Sequence, residues 1–214
     1  MIYLASDPHG DPNFSCIAEY FEKEGRDEIL ILLGDVCLNF EDTEENRAFT
    51  EHILSADKNI AIIDGNHENF AYLKSFPKEE WCGGTVRRLA PRVVYLERGN
   101  IYNIFGKSFF VFGGCKSSAK WRENGLWYPG EEPTDEELAF AKDNLGRHGF
   151  RVDFVLTHKY QKGRDSVVCE GLLDLCTFID ERVEFGKWYV GHEHRKKDID
   201  EKHTIIYDEL NVIE

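Results

Sequence analysis

Short apolar runs recur along this chain at 2–6, 29–33, 60–63, 152–156 and 188–190, and each gives way at once to polar residues. Runs of this length without polar alternation read as strands buried on both faces, the habit of parallel sheets. Between them the period becomes helical. Phe14, Ile17, Ala18 and Phe21 put four apolar side chains on one helix face ahead of Gly25. Asp42 and Glu45 have capping-box spacing before Phe49 and Ile53, and Thr134 and Glu137 repeat it before Leu138, Ala141 and Leu145. A fourth stripe, Val168, Leu172, Leu175, Cys176, Ile179 and Val183, stops near Gly186.

The middle of the chain differs. Runs at 93–96, 101–105 and 108–112, joined by Arg98-Gly99-Asn100 and Gly106-Lys107, read as hairpin strands, and 203–207 adds a late one. The pattern predicts an α/β fold with mixed sheets and helices outside them. With 214 residues, no internal repeat and no low-complexity segment, one domain over 1–214 is expected. Residues 115–133 carry no regular pattern but contain Trp121, Trp127 and Tyr128 among Lys116, Lys120 and Arg122. Loops this long in a compact domain are usually functional or disordered, and the aromatic content argues against disorder. Two readings stay open: a lid, or a surface loop pinned by its aromatics.

Composition narrows the partners. Forty acidic against 26 basic residues leave a formal charge of -14, which repels a phosphate backbone, so broad nucleic-acid binding is not expected. The six cysteines, Cys16, Cys37, Cys82, Cys115, Cys169 and Cys176, form no Cys-x-x-Cys pair and read as small core residues of a reducing compartment rather than a disulfide or zinc framework. No run reaches membrane-spanning length, and the first residues enter a strand without a basic leader, so a cytoplasmic location without membrane association is expected.

The polar residues just beyond the apolar runs carry the chemistry: Asp7 and His9, Asp35, Asn66, His158, then His192 and His194. Open α/β sheets collect their sites beyond the carboxyl ends of parallel strands, so five segments deliver ligands to one rim. Asp7 and His9 can share a metal only if the backbone turns out of the strand, which Pro8 and Gly10 permit. Asp35 has two oxygens to offer and can bridge two cations. Asn66 adds a neutral carbonyl oxygen and the histidines add imidazole nitrogens. Such mixed ligation suits manganese, iron, zinc or nickel better than magnesium or calcium. Each motif alone is weak; five in one order are not.

The series Asp-x-His, Gly-Asp, Gly-Asn-His-Glu, His and Gly-His-x-His, spanning residues 7–194, resembles the signature of the calcineurin-like metallophosphoesterase superfamily. Leu96-Glu97-Arg98-Gly99, Phe112-Gly113-Gly114 and the Trp121-Arg122 loop are similar to its small bacterial and phage members. The resemblance implies a four-layer α-β-β-α sandwich of two mixed sheets with a two-metal centre on the rim. It implies Asp7, His9 and His194 on one metal, Asn66, His158 and His192 on the other, Asp35 bridging, and His67 off the metals as proton donor to the leaving group. Manganese is the expected ion, with iron, zinc or nickel as alternatives. The implied reaction is hydrolysis of a phosphate mono- or diester by a hydroxide shared between the metals. Paired cations about 3.5–4 Å apart activate a water and clamp the phosphoryl oxygens. With four cationic charges against two carboxylates the pocket stays positive inside an acidic protein, which suits a phosphate ester. His67, with a reference pKa near 6.5, has the right acidity for proton donation at neutral pH.

The chain also departs from the family. Protein Ser/Thr phosphatases carry Gly-Asp-x-x-Asp-Arg-Gly, whereas Leu38 and Asn39 replace the acid and the arginine here, so a bidentate phosphate contact is missing. Arg98, Lys120 and Arg122 are possible replacements or merely solvated charges, and Glu68 is a participant or a solvated neighbour. Ala119 stands where small members often carry an acid. The rival to an enzyme is a binding scaffold on the same fold, which an intact ligand set disfavours; a nuclease is disfavoured by charge and the lack of a capping domain. The physiological ester and the oligomeric state are not legible in the sequence.

Overall fold

The strands carry apolar side chains on both faces and so divide their residues between two cores. A computed structural model describes residues 1–23, 25, 27–160 and 169–213. The first third alternates strand and helix: β1 (Ile2–Ala5), α1 (Ser15–Glu22), β2 (Ile29–Leu33), α2 (Glu44–Leu54), β3 (Asn59–Ile63) and α3 (Phe70–Ser75). Five strands follow, β4 (Lys78–Trp81), β5 (Gly84–Ala90), β6 (Val93–Leu96), β7 (Ile101–Ile104) and β8 (Lys107–Phe112), then α4 (Ala119–Glu123) and α5 (Asp135–Arg147). The chain closes with β9 (Arg151–Thr157), α6 (Glu170–Arg182), β10 (Glu184–Val190), β11 (Lys197–Asp198), β12 (His203–Ile205) and β13 (Asn211–Ile213).

One sheet runs β13-β1-β2-β3-β6-β5-β4, the other β11-β12-β10-β9-β8-β7. Their centres are parallel, β1-β2-β3-β6 in the first and β8-β9-β10-β12 in the second, with antiparallel strands at the edges. Ile2, Leu4, Ile31, Leu33 and Ile63 point between the sheets, against Tyr102, Phe109, Val111 and Leu156. Their sequence neighbours Tyr3, Ala5, Leu30, Leu32 and Ile62 point the other way, against Ile17, Tyr20, Phe49 and Ile53 of α1 and α2. On the far face of the second sheet, Phe110, Phe112, Val155 and Trp188 meet Ala141, Leu145, Leu172 and Ile179 of α5 and α6. Three apolar layers therefore separate four layers of structure, the expected α-β-β-α sandwich. Each fully buried Leu or Ile contributes roughly 1.5–3 kcal/mol, so the arrangement is specified by many residues together.

Several local expectations need correction. Val93–Leu96 does not form a hairpin with 101–105: β6 pairs with β3 and β5, and the chain at Arg98-Gly99-Asn100 crosses to the second sheet. The runs at 101–105 and 108–112 do form a hairpin, β7-β8, turned at Phe105 and Gly106 with both φ values positive, while β6 pairs antiparallel with the preceding β5. The buried face of α1 is Cys16, Ile17 and Tyr20, whereas Ala18 is exposed. Tyr20 can go inside because its hydroxyl donates to the Asn59 carbonyl, 2.9 Å away. The cap of α2 is Thr43, not Asp42: its hydroxyl accepts from the Asn46 N–H. The capping box of Thr134 and Glu137 is formed as expected. Val168 lies outside the described residues, while Leu172, Leu175, Cys176 and Ile179 of the same stripe are buried. All six cysteines are free thiols, and all but Cys82 are buried. Among the described residues no helix is long and apolar enough to cross a membrane.

Candidate metal centre

Asp7 and His9 follow β1, Asp35 β2, Asn66 β3, His158 β9, and His192 and His194 β10, so all seven expected ligands lie beyond the carboxyl ends of parallel strands. The two sheets bring these ends together. To turn the side chains inward the backbone leaves the strand region abruptly: Asp7, His9, Asp35, His192 and His194 all have φ between +46° and +69°. Left-handed non-glycine residues each cost about 1–3 kcal/mol and persist only where the surroundings impose them. Close approach needs glycine at two points. A Cβ on Gly65 would fall on the Asp35 carboxylate, and one on Gly191 on the Ser6 hydroxyl and the Leu33 carbonyl.

The donors form two groups around Asp35. In the first, His9 Nε2 lies 2.9 Å from His194 Nε2 and 3.6 Å from Asp35 Oδ2, while His194 Nε2 is 3.6 Å from Asp7 Oδ1. In the second, His158 Nε2 lies 3.3 Å from Asn66 Oδ1, 3.2 Å from His192 Nδ1 and 3.4 Å from Asp35 Oδ1. The two Asp35 oxygens therefore face different groups. Two features fit a cation in this cluster. Imidazole nitrogens face one another, and among the described residues the buried Asp7 Oδ1 has no hydrogen-bond partner, its 3.6 Å approach to His194 being a charge pairing only. Asp7, His9 and His194 form one set close enough to share an ion, and Asp7, Asp35 and His158 another.

Surrounding groups fix the donors. His158 Nδ1 is 2.8 Å from the Leu33 carbonyl, which assigns its proton to Nδ1 and leaves Nε2 with a free lone pair. Asn66 Nδ2 donates to Ser117 Oγ at 3.0 Å, so Oδ1 turns toward the histidines. Asp7 Oδ2 accepts from the His192 N–H, and Asp35 Oδ1 from the His67 N–H, both at 2.8 Å. Burial works to raise the Asp35 carboxyl, but His158, His67, His9 and the His67 N–H outweigh it and hold it at about 2. Burial, His158 and Lys159 push His192 down to about 2, so its imidazole is neutral and ready to coordinate. Burial also lowers His9, whereas pairing with Asp7 raises His194.

His67 stands beside both groups with its ring 5.5 Å from that of His9, 4.9 Å from Trp121 and 5.9 Å from Phe40. It borders a cleft of about 630 Å³ whose lining includes His9, His192 and His194 together with Phe40, Trp121, Leu126, Lys116 and Lys159. The segment 115–133 is braced rather than structureless. It contains α4, Arg122 pairs with Glu131 and Glu132, the Ser117 N–H reaches Glu131, and the Tyr128 hydroxyl donates to the Phe40 carbonyl.

This bracing removes two of the phosphate contacts raised above. Arg122 is engaged by its glutamates. Arg98 is buried, with Nε 2.8 Å from Asp64, and also meets Glu137 and the Gly130 carbonyl. Lys120 is exposed on α4 and does not line the cleft. Glu68 is no solvated neighbour: it is buried and accepts from the Val36 and Cys37 N–H groups, holding the turn that carries Asp35. Burial and Asp35 push its carboxyl up, while those N–H groups pull it back.

Lys159 carries no motif, yet it is buried with Nζ 3.1 Å from His192 Nε2 and faces the cleft. Its one signal in the sequence is its place directly after a strand-end histidine. Cys115 follows β8 in the same way and lies among the second group of donors.

A calcineurin-like phosphoesterase model matches residues 1–196, nearly the whole chain and every residue of the cluster. The chain belongs to the calcineurin-like phosphoesterase family. Its members hydrolyse phosphoesters with divalent metal ions, and the two mixed sheets flanked by helices are that family's fold. Among solved structures, this phosphoesterase is similar to a phosphopantetheinyl hydrolase from Mycobacterium tuberculosis. The identity is 15% and the TM-score 0.46, over 96% of this chain and 87% of that one. No curated protein matches its sequence.

Proposed function

We propose that the protein is a dinuclear metal-dependent phosphoesterase acting on a phosphate mono- or diester. The observation that carries this reading is Asp35, whose two oxygens face two separate sets of nitrogen and oxygen donors. Asp7, His9 and His194 would hold one ion with Asp35, and Asn66, His158 and His192 the other. Divalent transition metals suit these donors, manganese first and iron, zinc or nickel as alternatives. When bound, such ions supply Lewis acidity, an acidified water and charge neutralisation for the phosphoryl group.

The chain's own residues do the rest. Lys159, buried and lining the cleft, contacts the phosphoryl oxygens and supplies the charge that Asn39 lacks. His67 donates a proton to the departing oxygen; Trp121 and Phe40 hold its ring and keep water from the leaving group. Asp35 fixes the His67 backbone, so the proton donor and the donor cluster keep one geometry. The cleft also has Glu41 and Glu45 on its wall, which disfavours a second phosphate there and favours a compact ester.

The test is hydrolysis of p-nitrophenyl phosphate and of its phenylphosphonate diester. Metal-stripped protein is expected to be inactive on both, and manganese to restore at least one. Turnover that persists in chelator, or in Asp35→Asn, contradicts the two-metal reading.

A further inference from the structure

The second group of donors contains one atom more than the family pattern supplies. Cys115 Sγ is buried at the end of β8, 2.9 Å from Asn66 Oδ1 and 3.8 Å from His192 Nδ1. With His158 it forms a set of ligand atoms close enough to share one ion. The separations among Asn66 Oδ1, His158 Nε2, His192 Nδ1 and Cys115 Sγ that define the cluster are 2.9, 3.2, 3.3 and 3.8 Å. Ligands at metal–nitrogen distances of about 2.0–2.1 Å and metal–sulfur of about 2.3 Å around one ion leave gaps of this size between neighbouring donors. The thiol is not a bystander at the rim, because its contacts run to Asn66 and His192, which both belong to the cluster.

We infer that Cys115 is a sulfur ligand of the second metal position and makes that position selective for a thiophilic cation. The inference rests on the two-metal reading above. Coordination forms a metal–sulfur bond and releases the S–H proton to water, so the ligand is the thiolate. The two positions then differ in chemistry. Beside the shared Asp35, Asp7, His9 and His194 offer only nitrogen and oxygen, which suit manganese, whereas Asn66, His158, His192 and Cys115 together favour zinc, iron or cobalt. Cys37 provides the internal control. Its Sγ stands 3.8 Å from His9 Nδ1, the nitrogen turned away from the first group, and donates to the His67 carbonyl at 3.1 Å.

The experiment loads metal-stripped protein with cobalt(II) and records near-ultraviolet and visible spectra together with metal content per chain. The expected result is two cobalt ions, visible ligand-field bands, and a near-ultraviolet sulfur-to-cobalt charge-transfer band. That band should vanish in Cys115→Ala and Cys115→Ser and persist in Cys37→Ala. Zinc retention against excess manganese should fall at least about tenfold in both Cys115 variants, the scale seen when groups around a metal are removed. Two bound cobalt ions without the charge-transfer band in the wild type would overturn the thiolate while leaving the two-metal reading intact. A band lost in Cys37→Ala but kept in Cys115→Ala would overturn it equally. Failure to bind cobalt at all would sink both.

Discussion

Asp7→Asn separates the stability of the metal-free protein from that of the loaded one. Asp7 Oδ1 is buried without a hydrogen-bond partner among the described residues, and His194 Nε2 is 3.6 Å away. An unsatisfied buried acceptor costs roughly 1–3 kcal/mol, and more when it carries charge. Asparagine keeps an oxygen for the His192 N–H, now 2.8 Å from Oδ2, and turns an amide N–H toward His194. At mildly alkaline pH, where histidine is mostly neutral, the variant should be more stable than wild type in chelator by about 1–3 kcal/mol. For a chain of this size that is about 2–4 °C in Tm per kcal/mol. With metal the order should reverse. An ion at 100 times its dissociation constant adds about 2.7 kcal/mol per site, and the variant has lost a charged ligand of the first position. Thermal unfolding in chelator and in excess manganese reads both limbs. A variant less stable than wild type in chelator, or one gaining as much as wild type from manganese, would refute the reasoning.

Other outcomes follow from the same geometry. Lys159→Met should keep both metals but lose about 10–100-fold in kcat/KM, the value of one charge-assisted contact of roughly 1.5–3 kcal/mol; unchanged kinetics would remove it from the phosphate site. His67→Ala should keep the metals and lose turnover most on esters with poor leaving groups, and a loss independent of leaving group would deny it the proton-donor role. Arg98→Met strands the buried Asp64, so urea unfolding should show a loss of about 3–5 kcal/mol, against a value near zero if the pair were solvated. Acidification below the histidine reference pKa near 6.5 should destabilise the metal-free protein through His192, whose folded pKa is depressed to about 2. The unfolded state takes up the proton and the folded state does not, so wild type loses about 1.4 kcal/mol per pH unit relative to His192→Asn. A pH-independent difference between the two would contradict the assignment.

The strands that carry the candidate donors were legible because they are short, apolar and largely buried, so each ends abruptly in a polar residue. Asp35 and His158 could be placed on one rim from that alone. The edges were not legible. In β4, Lys78, Glu79 and Glu80 are exposed, and in β5 Arg87 and Arg88 pair with Glu97 and Glu79, so neither strand carries an apolar signature. Arg98-Gly99-Asn100 has the composition of a hairpin turn, but the buried pairing of Arg98 with Asp64 fixes a crossing between sheets, a contact 34 residues apart in sequence. Thr43 and Asp42 are equally good caps, and only the chain's entry path chooses between them. Glu68 looked like a rim residue because its partners, the N–H groups of Val36 and Cys37, belong to another strand-end turn. Lysine and cysteine after a strand carry no motif, so Lys159 had no signal of its own and Cys115 read as a core residue, although both follow strands as Asp35 and His158 do.

Manganese binding to metal-stripped protein, counted by equilibrium dialysis and followed by electron paramagnetic resonance, tests the dinuclear centre most directly. At excess manganese, two ions per chain with a spin-coupled spectrum are predicted, the coupling disappearing in Asp35→Asn. One ion per chain, or two whose spectra show no coupling, would contradict a centre bridged by Asp35.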